Sequence, residues 1–442
     1  MLPRPPLPPG PYLVVGLARS GVAVGRALRS LGAEVVGVDS GDVPEGRRRE
    51  LEAAGVAVYS GTPGVELLAG VETLIKSPGV PKEAPVIVAA REAGIGVLGE
   101  LELGWRLVPN ETIAVTGSNG KTTTVELIGH LHRTADLPAV VVGNVGTALT
   151  SLVGSGLPEA TVVVCEASSF QLEDTLRLAP DAGVLLNLAE DHLDRHGTFD
   201  AYKAAKLEVF ARQPVGTVAV ANEVLAADVG GEGERVLFGR GADARLRDAD
   251  GALWWDGERL IAHDEIRLRG AHNRENAMAA AAVALARELP LDAVREGLAT
   301  FGGVEHRLEE VATHDGVLYV NDSKATNVAS AVVALRSFEA AIHLIAGGRG
   351  KGSGFQALRA PVAERCAAVY LIGEATEALD AALAGAGVPV RRCGDLERAV
   401  ADARAAAQPG DVVLLSPACT SYDQYPDFEA RGDHFRRLAG LG

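Results

Sequence analysis

An apolar strand, Thr112 to Val115, runs straight into the turn Thr116-Gly117-Ser118-Asn119-Gly120-Lys121-Thr122, and a helical pattern follows from Thr122 to about Arg133. Few architectures accept this order. It belongs to parallel α/β sheets, where the N–H groups of the turn and the N-terminus of the helix converge on one anion. Lys121 is then placed to reach the outer phosphates of a nucleotide, and Thr122 to reach Mg²⁺. The strict pattern requires glycine where Val115 stands. The run therefore reads T-G-x-N-G-K-T-T, which points away from switch GTPases and motors, with a purely structural turn as the competing reading.

The rest of the chain alternates in the same way. Tyr12 to Val15 reads as a strand, Val22 to Leu31 as a helix and Glu34 to Val38 as a second strand, with Gly16 and Gly21 in the first turn and Asp39 after the second strand. The spacing is not G-x-G-x-x-G, so a nicotinamide site, a nucleotide-diphosphate site and a structural turn all stay open. Ser77-Pro78-Gly79 follows the strand Thr73 to Ile75, at the end where such sheets bind ligands. Strands are expected at Ala139 to Val142, Thr161 to Cys165 and Gly183 to Asn187, and weaker ones at Thr217 to Ala221 and Leu253 to Trp255. Val224 to Gly251 reads as surface loop or short antiparallel strands, and Asn273 to about Glu288 as an alanine-rich helix. After Phe301-Gly302-Gly303 come strands at Val317 to Val320, Ile342 to Ala346, Ala368 to Ile372 and Val412 to Leu415. The expected fold is α/β, with three domains in series at 1–100, 101–303 and 304–442. The first and third would be Rossmann-like and the central one P-loop ATPase-like.

A formal net charge of −16 argues against nucleic acid and anionic membrane as partners, since both require a basic field. Met1 to Pro11 lacks the apolar core of a signal peptide, and the longest apolar run, Ala277 to Ala286, is too short to span a bilayer, so the cytoplasm is expected. Cys165, Cys366, Cys393 and Cys419 are too scattered for a disulfide framework or a zinc knot. Lysine occurs only at 76, 82, 121, 203, 206, 324 and 351, which singles out the four that fall inside motifs: Lys121, Lys206, Lys324 and Lys351.

Glu166 ends the apolar strand before it, a position where phosphate-loop enzymes place an acid near the metal, although a solvated carboxylate reads the same way. The block Glu190-Asp191-His192-Leu193-Asp194-Arg195-His196 follows the next strand. Its carboxylates suit Mg²⁺ beside phosphate better than zinc, and a solvated polar loop is the bland alternative. Lys206 sits on a short amphipathic helix that is unremarkable by itself. Asn321-Asp322-Ser323-Lys324-Ala325-Thr326-Asn327 follows a strand and precedes a helix from about Ala329, which fits either an anion site or N-capping. Gly347-Gly348-Arg349-Gly350-Lys351-Gly352 is either a flexible turn or a second anion site.

Taken in order, T-G-S-N-G-K-T-T, G-N-V-G at 143–146, E-A-S-S-F-Q-L-E at 166–173, E-D-H-L-D at 190–194, A-H-N-R-E-N at 271–276 and H-R-L-E at 306–309 resemble the Mur ligase superfamily over nearly the whole chain. N-D-S-K-A-T-N at 321–327 and S-P-A-C-T-S-Y-D-Q-Y at 416–425 resemble its D-glutamate-adding branch. The resemblance implies an ATP-dependent, amide-forming ligase acting on UDP-N-acetylmuramoyl-L-alanine and D-glutamate through an acyl phosphate, working as a monomer. It implies that Gly117, Asn119, Gly120, Lys121, Thr122, Thr123, Asn276, Arg307 and Asp322 hold ATP. Two Mg²⁺ ions would be held by Thr122, Glu166, His192 and a carbamate on Lys206; Lys121, Glu166, His192 and Lys206 form the implied catalytic set. Gly16, Leu17, Ala18, Arg19, Asp39, Ser40, Ser77, Gly79, Asn144 and Ser168 would meet the uridine-linked substrate. Lys324, Thr326, Lys351, Ser421 and Phe428 would frame D-glutamate, and Arg349 departs from the acidic residue expected in some relatives.

Overall fold

The computed structural model describes residues 3–268, 270–350 and 354–440. The chain divides into two compact units, Met1–Phe301 and Gly302–Gly442. The first unit carries two sheets. In one, five parallel strands lie in the order Ala57–Ser60, Val35–Asp39, Tyr12–Val15, Thr73–Lys76 and Gly96–Gly99. The strand order reverses between Tyr12–Val15 and Thr73–Lys76, and the glycine turn and the Ser77 turn both open at that point, where open parallel sheets leave a crevice.

The other sheet has nine strands, in the order Glu258–Ala262, Ala252–Trp255, Leu246–Ala249, Glu234–Gly239, Val218–Asn222, Ala182–Leu185, Thr112–Thr116, Val162–Glu166 and Ala139–Gly143. Helices cover both faces, so its central strands are continuous apolar runs: Val162–Glu166 is buried at every residue. The segment 224–251 differs from its sequence reading. Glu234–Gly239 extends the parallel ladder beside Val218–Asn222, and antiparallel pairing starts only at Leu246–Ala249. Val236 and Phe238 drive this by burying their side chains in the core, with Leu237 between them half-buried against a second apolar cluster. So short an apolar run, set among Gly, Asp, Glu and Arg, is easily taken for surface loop.

Charges close the seam between these two sheets. Glu102, fully buried, accepts the N–H groups of Leu176, Arg177 and Leu178 and pairs with Arg106. Lys76 and Asp174, 0% and 3% exposed, form an ion pair at 2.6 Å. Burial outweighs that pairing at Asp174 and pushes its carboxyl up.

The second unit holds one six-stranded sheet, ordered Glu309–His314, Val317–Asn321, Val412–Leu415, Ile342–Gly347, Cys366–Ile372 and Val390–Gly394. Only the first pair is antiparallel. Both edge strands, Glu309–His314 and Val390–Gly394, went unrecognised in the sequence because their residues are mostly half-buried or exposed. Among the described residues, no helix is long and apolar enough to cross a membrane.

Candidate active site

The phosphate turn is shaped by its glycines. Gly120 takes φ +86°, and a Cβ there would lie 2.1 Å from Asn276 Oδ1, so only glycine lets the helix Ala271–Ala286 approach the turn this closely. Asn119 exchanges two hydrogen bonds with Asn187, its N–H donating to Oδ1 and its carbonyl accepting from Nδ2. Ser118 Oγ bridges to Ala189 and lies 2.9 Å from the Tyr202 hydroxyl. Asn187, Ala189 and Tyr202 thus fix the turn from behind. Thr122 and Thr123 are buried at the start of the helix Lys121–Thr134, as an N-terminal anion site requires.

Two lysines converge on one atom. Lys121 Nζ donates to Gly117 O at 2.8 Å, and Lys206 Nζ donates to the same oxygen at 2.8 Å. Lys206 is 2% exposed, lies over the Tyr202 ring at 4.7 Å, and makes no ion pair among the described residues. Burial, reinforced by the Lys121 charge, lowers its ammonium to about 7. A large share of this amine is therefore neutral at physiological pH, which makes it a nucleophile.

Opposite them, Glu166 is 2% exposed at the end of its strand. Its Oε2 accepts from Thr122 Oγ1 at 2.8 Å and its Oε1 from Asn144 Nδ2 at 3.0 Å. Gly143, at φ +118°, permits this turn, since a Cβ there would meet Glu166 O at 2.2 Å. Among the described residues, no three His, Cys, Asp or Glu side chains gather tightly enough to hold a metal by themselves. The hydroxyl and carboxylate of Thr122 and Glu166 instead match Mg²⁺, which takes one or two protein oxygens and completes its shell with phosphate and water. The Mg²⁺ reading fits this donor set.

His192 adopts a left-handed backbone, φ 52°, and its ring meets Phe170 at 4.8 Å and the Asp191 carboxylate at 3.4 Å. Its side chain is exposed, and a chain of ring contacts runs from it through Phe170 and His196 to Tyr202, over which Lys206 lies. Phe170 is also stacked on His196 and lies under the Arg195 guanidinium, which reaches Glu173 and the carbonyl of Val80 beyond the Ser77 turn. Ser168 is committed to a capping box with Gln171. In the first sheet, Asp39 accepts the Leu17 N–H at 2.7 Å, and Ser77 Oγ donates to Gly16 O at 2.6 Å. Ala18 and Arg19 begin the helix and, with Ser40 and Gly79, stay exposed around the crevice.

In the second unit, Asp322 accepts from Ser416 Oγ at 2.7 Å and from the Leu308 N–H at 3.2 Å, and burial pushes its carboxyl up to about 7. Arg307 is exposed nearby. Lys324 N–H donates to His306 O, and the half-buried Lys324 and Thr326 follow the strand Val317–Asn321. Ser421 is buried and Phe428 opens the helix Phe428–Ala439. Lys351 lies outside the described residues. The departure at Arg349 is met by Glu374, which pairs with it at 2.9 Å. Asn276 belongs to the first unit, Arg307 and Asp322 to the second.

Three family models cover the chain: "Mur ligase MurD-like, N-terminal domain" at 11–99, "Mur ligase middle domain" at 115–284 and "Mur ligase, glutamate ligase domain" at 306–419. The chain belongs to the Mur ligase family. It is 42% identical over 444 residues to the UDP-N-acetylmuramoylalanine–D-glutamate ligase of Pelotomaculum thermopropionicum, covering 96% of each chain. It is 44% identical over 452 residues to the protein of that name from Anaeromyxobacter dehalogenans, again covering 96% of each. Among solved structures it resembles the UDP-N-acetylmuramate-alanine ligase of Thermotoga maritima, with TM-score 0.56, 18% identity, and 96% and 98% of the two chains covered. A MurF ligase of Thermotoga maritima in complex with ADP gives TM-score 0.55 at 18% identity over 92% and 95%. At such identity the likeness is one of fold. The three-domain α/β architecture is that of Mur ligases.

Proposed function

We propose that the chain is an ATP-dependent ligase that joins D-glutamate to UDP-N-acetylmuramoyl-L-alanine in peptidoglycan precursor synthesis, releasing ADP and phosphate. The relatives that share its full length carry that name. The observation that supports the chemistry best is the meeting of Lys121 and Lys206 on Gly117 O, beside the Thr122–Glu166 pair.

A carboxylate becomes an acylating agent only once one of its oxygens has become a phosphate leaving group. Lys121 and the turn's N–H groups orient the triphosphate, with Gly117, Asn119, Gly120 and Thr123 shaping the cradle. The alanyl carboxylate attacks the γ-phosphorus, the bond to ADP breaks, and the acyl phosphate forms. The amine of D-glutamate then attacks the acyl carbon, loses a proton and expels inorganic phosphate. Every reactant is anionic, so Mg²⁺ on Thr122 and Glu166 would offset charge between them. A second ion would fall to His192 and Lys206. The neutral Lys206 amine adds CO₂, losing a proton to give a carbamate, which turns a cation into a carboxylate-like ligand. Asn276, Arg307 and Asp322 complete the ATP site.

Residues 1–100 take the uridine end, with Gly16, Leu17, Ala18, Arg19, Asp39, Ser40, Ser77 and Gly79 at the crevice and Asn144 and Ser168 toward the muramoyl end. Residues 101–303 bind ATP, and 304–442 bring D-glutamate to Lys324, Thr326, Lys351, Ser421 and Phe428. The enzyme acts in the cytoplasm as a monomer. Purified protein given ATP, Mg²⁺ and UDP-N-acetylmuramoyl-L-alanine should turn over, releasing ADP continuously, with D-glutamate and not with L-lysine or diaminopimelate. The reverse preference would sink this reading.

A further inference from the structure

One deeply buried, heavily hydrogen-bonded side chain of the second unit is not used by the proposed reaction. Arg431 is 1% exposed, although it lies on the helix Phe428–Ala439 among charged neighbours. Its Nε donates to Ser323 Oγ at 2.9 Å, and its Nη2 donates to Ser323 O at 2.8 Å and Cys419 O at 3.2 Å. Ser323 Oγ passes the link on by donating to Phe428 O at 2.8 Å. The segment Gly347 to Gly350 closes on the same place. Arg349 and Thr420 exchange backbone hydrogen bonds, and a Cβ at Gly348 would sit 2.2 Å from Thr420 O and 3.2 Å from Arg431 Nη1. One guanidinium therefore holds the 321–327 segment, the 416–421 segment and the helix start, with the 347–350 segment packed against it.

We propose that Arg431 is the positioning residue of the amino-acid pocket, fixing those segments so that Lys324, Thr326, Ser421 and Phe428 form one receptor for the incoming D-glutamate. This rests on the function proposed above. A purely structural staple explains it less well. Among the described residues Arg431 has no ion pair, the Asp423 carboxylate acting on it only from beyond ion-pair distance, and Nη1 is buried without a hydrogen-bond partner. A buried cation without an ion pair is a poor stabiliser, and well-packed apolar residues commonly serve a core as well or better. Burial lowers the guanidinium only to about 10, so the charge persists at neutral pH. A fixed positive charge behind a pocket favours a dicarboxylate amino acid over a neutral one.

The test uses the full-length enzyme and two variants, Arg431→Lys, which keeps charge but loses the fork, and Ser323→Ala, which removes the hydroxyl that accepts from Arg431 Nε and donates to Phe428 O but leaves the two carbonyl contacts of Arg431 Nη2. In both, KM for D-glutamate should rise, by roughly tenfold to a hundredfold in Arg431→Lys, as losing hydrogen bonds from a charged donor implies. KM for ATP and for the uridine substrate should stay within about threefold, and single-turnover ADP formation without D-glutamate should persist, since those belong to the first step. An unchanged KM for D-glutamate in both variants, or an equal rise for all three substrates, would overturn the assignment. If Arg431→Lys does not fold, Ser323→Ala decides by the same measures. A wild-type enzyme inert toward D-glutamate would instead overturn the proposed function.

Discussion

Lys206 and Arg431 are both buried cations without an ion pair among the described residues, and they meet the same cost in opposite ways. Lys206 can shed its charge: burial and the nearby Lys121 bring its ammonium to about 7, and the neutral amine is then open to chemistry. Arg431 cannot, and it spends its donors on carbonyls and a hydroxyl from two other segments. The lysine suits a site where a ligand has to be made. The arginine suits a site where a shape has to be kept. Lys76 is the control for both, equally buried but paired with Asp174.

The largest effect should come from that control. Lys76→Met leaves Asp174 buried alone and should cost roughly 3–5 kcal/mol of stability in urea unfolding, with much of it restored by adding Asp174→Asn. Loss of the single variant's effect would show that the seam tolerates an unpaired charge, and the contrast with Lys206 would lose its meaning. Next, Lys206→Ala should lower kcat by on the order of a hundredfold or more, as losing a preorganised charged group at a phosphoryl site does. Short carboxylates should restore part of it, and Lys206→Arg should stay inactive because a guanidinium forms no carbamate. Full activity in Lys206→Arg would mean that charge alone suffices and that the two cations are alike. A smaller shift is expected from Lys121→Met. Removing a neighbouring positive charge should raise the Lys206 ammonium, so labelling by ¹³C-bicarbonate at neutral pH should fall in that variant.

The mildest test concerns Asp322, the anionic counterpart. Its folded carboxyl titrates near 7, above the unfolded value of about 4, so the protonated form is favoured by folding. That contribution is complete below about pH 4, declines as pH rises, and is gone above about 7. Unfolding of wild type and Asp322→Asn across that window should show wild type losing ground to the variant as pH rises. A constant difference would mean that the Ser416 and Leu308 bonds keep the carboxylate ionised throughout.

The contrast also marks what a sequence can reveal. Lys121 and Thr122 stood out because a strand, a turn and a helix follow one another locally, and Glu166 because an apolar strand ends on it; the fold then brings Thr122 and Glu166 into contact. Most central strands were equally legible, since burial on both faces leaves uninterrupted apolar runs. Glu234–Gly239 and Val390–Gly394 were not, because a short apolar run among polar and glycine residues, or a largely polar strand, resembles surface loop. Lys206 on its own looked like any helical lysine; its importance comes from Gly117, 89 residues away. Arg431 was hidden in a charged helix, yet a signal existed. Phe428, Gly432, Phe435 and Ala439 trace an apolar stripe, and Arg431 falls three residues after the first and four before Phe435, inside that stripe. Tyr202 could have been found the same way, four residues before Lys206 on one helical face.

Glu102 carries a last implication. Three successive amides, from Leu176 to Leu178, point at one carboxylate deep in the seam. The phosphate turn offers the same kind of amide cradle to a nucleotide. The joint between the first two sheets is therefore built like an anion receptor whose guest is covalently attached and never leaves. Loosening it resembles the departure of a ligand more than the bending of a hinge. Neutralising that guest should unsettle the backbone at 176–178 before it disturbs any strand.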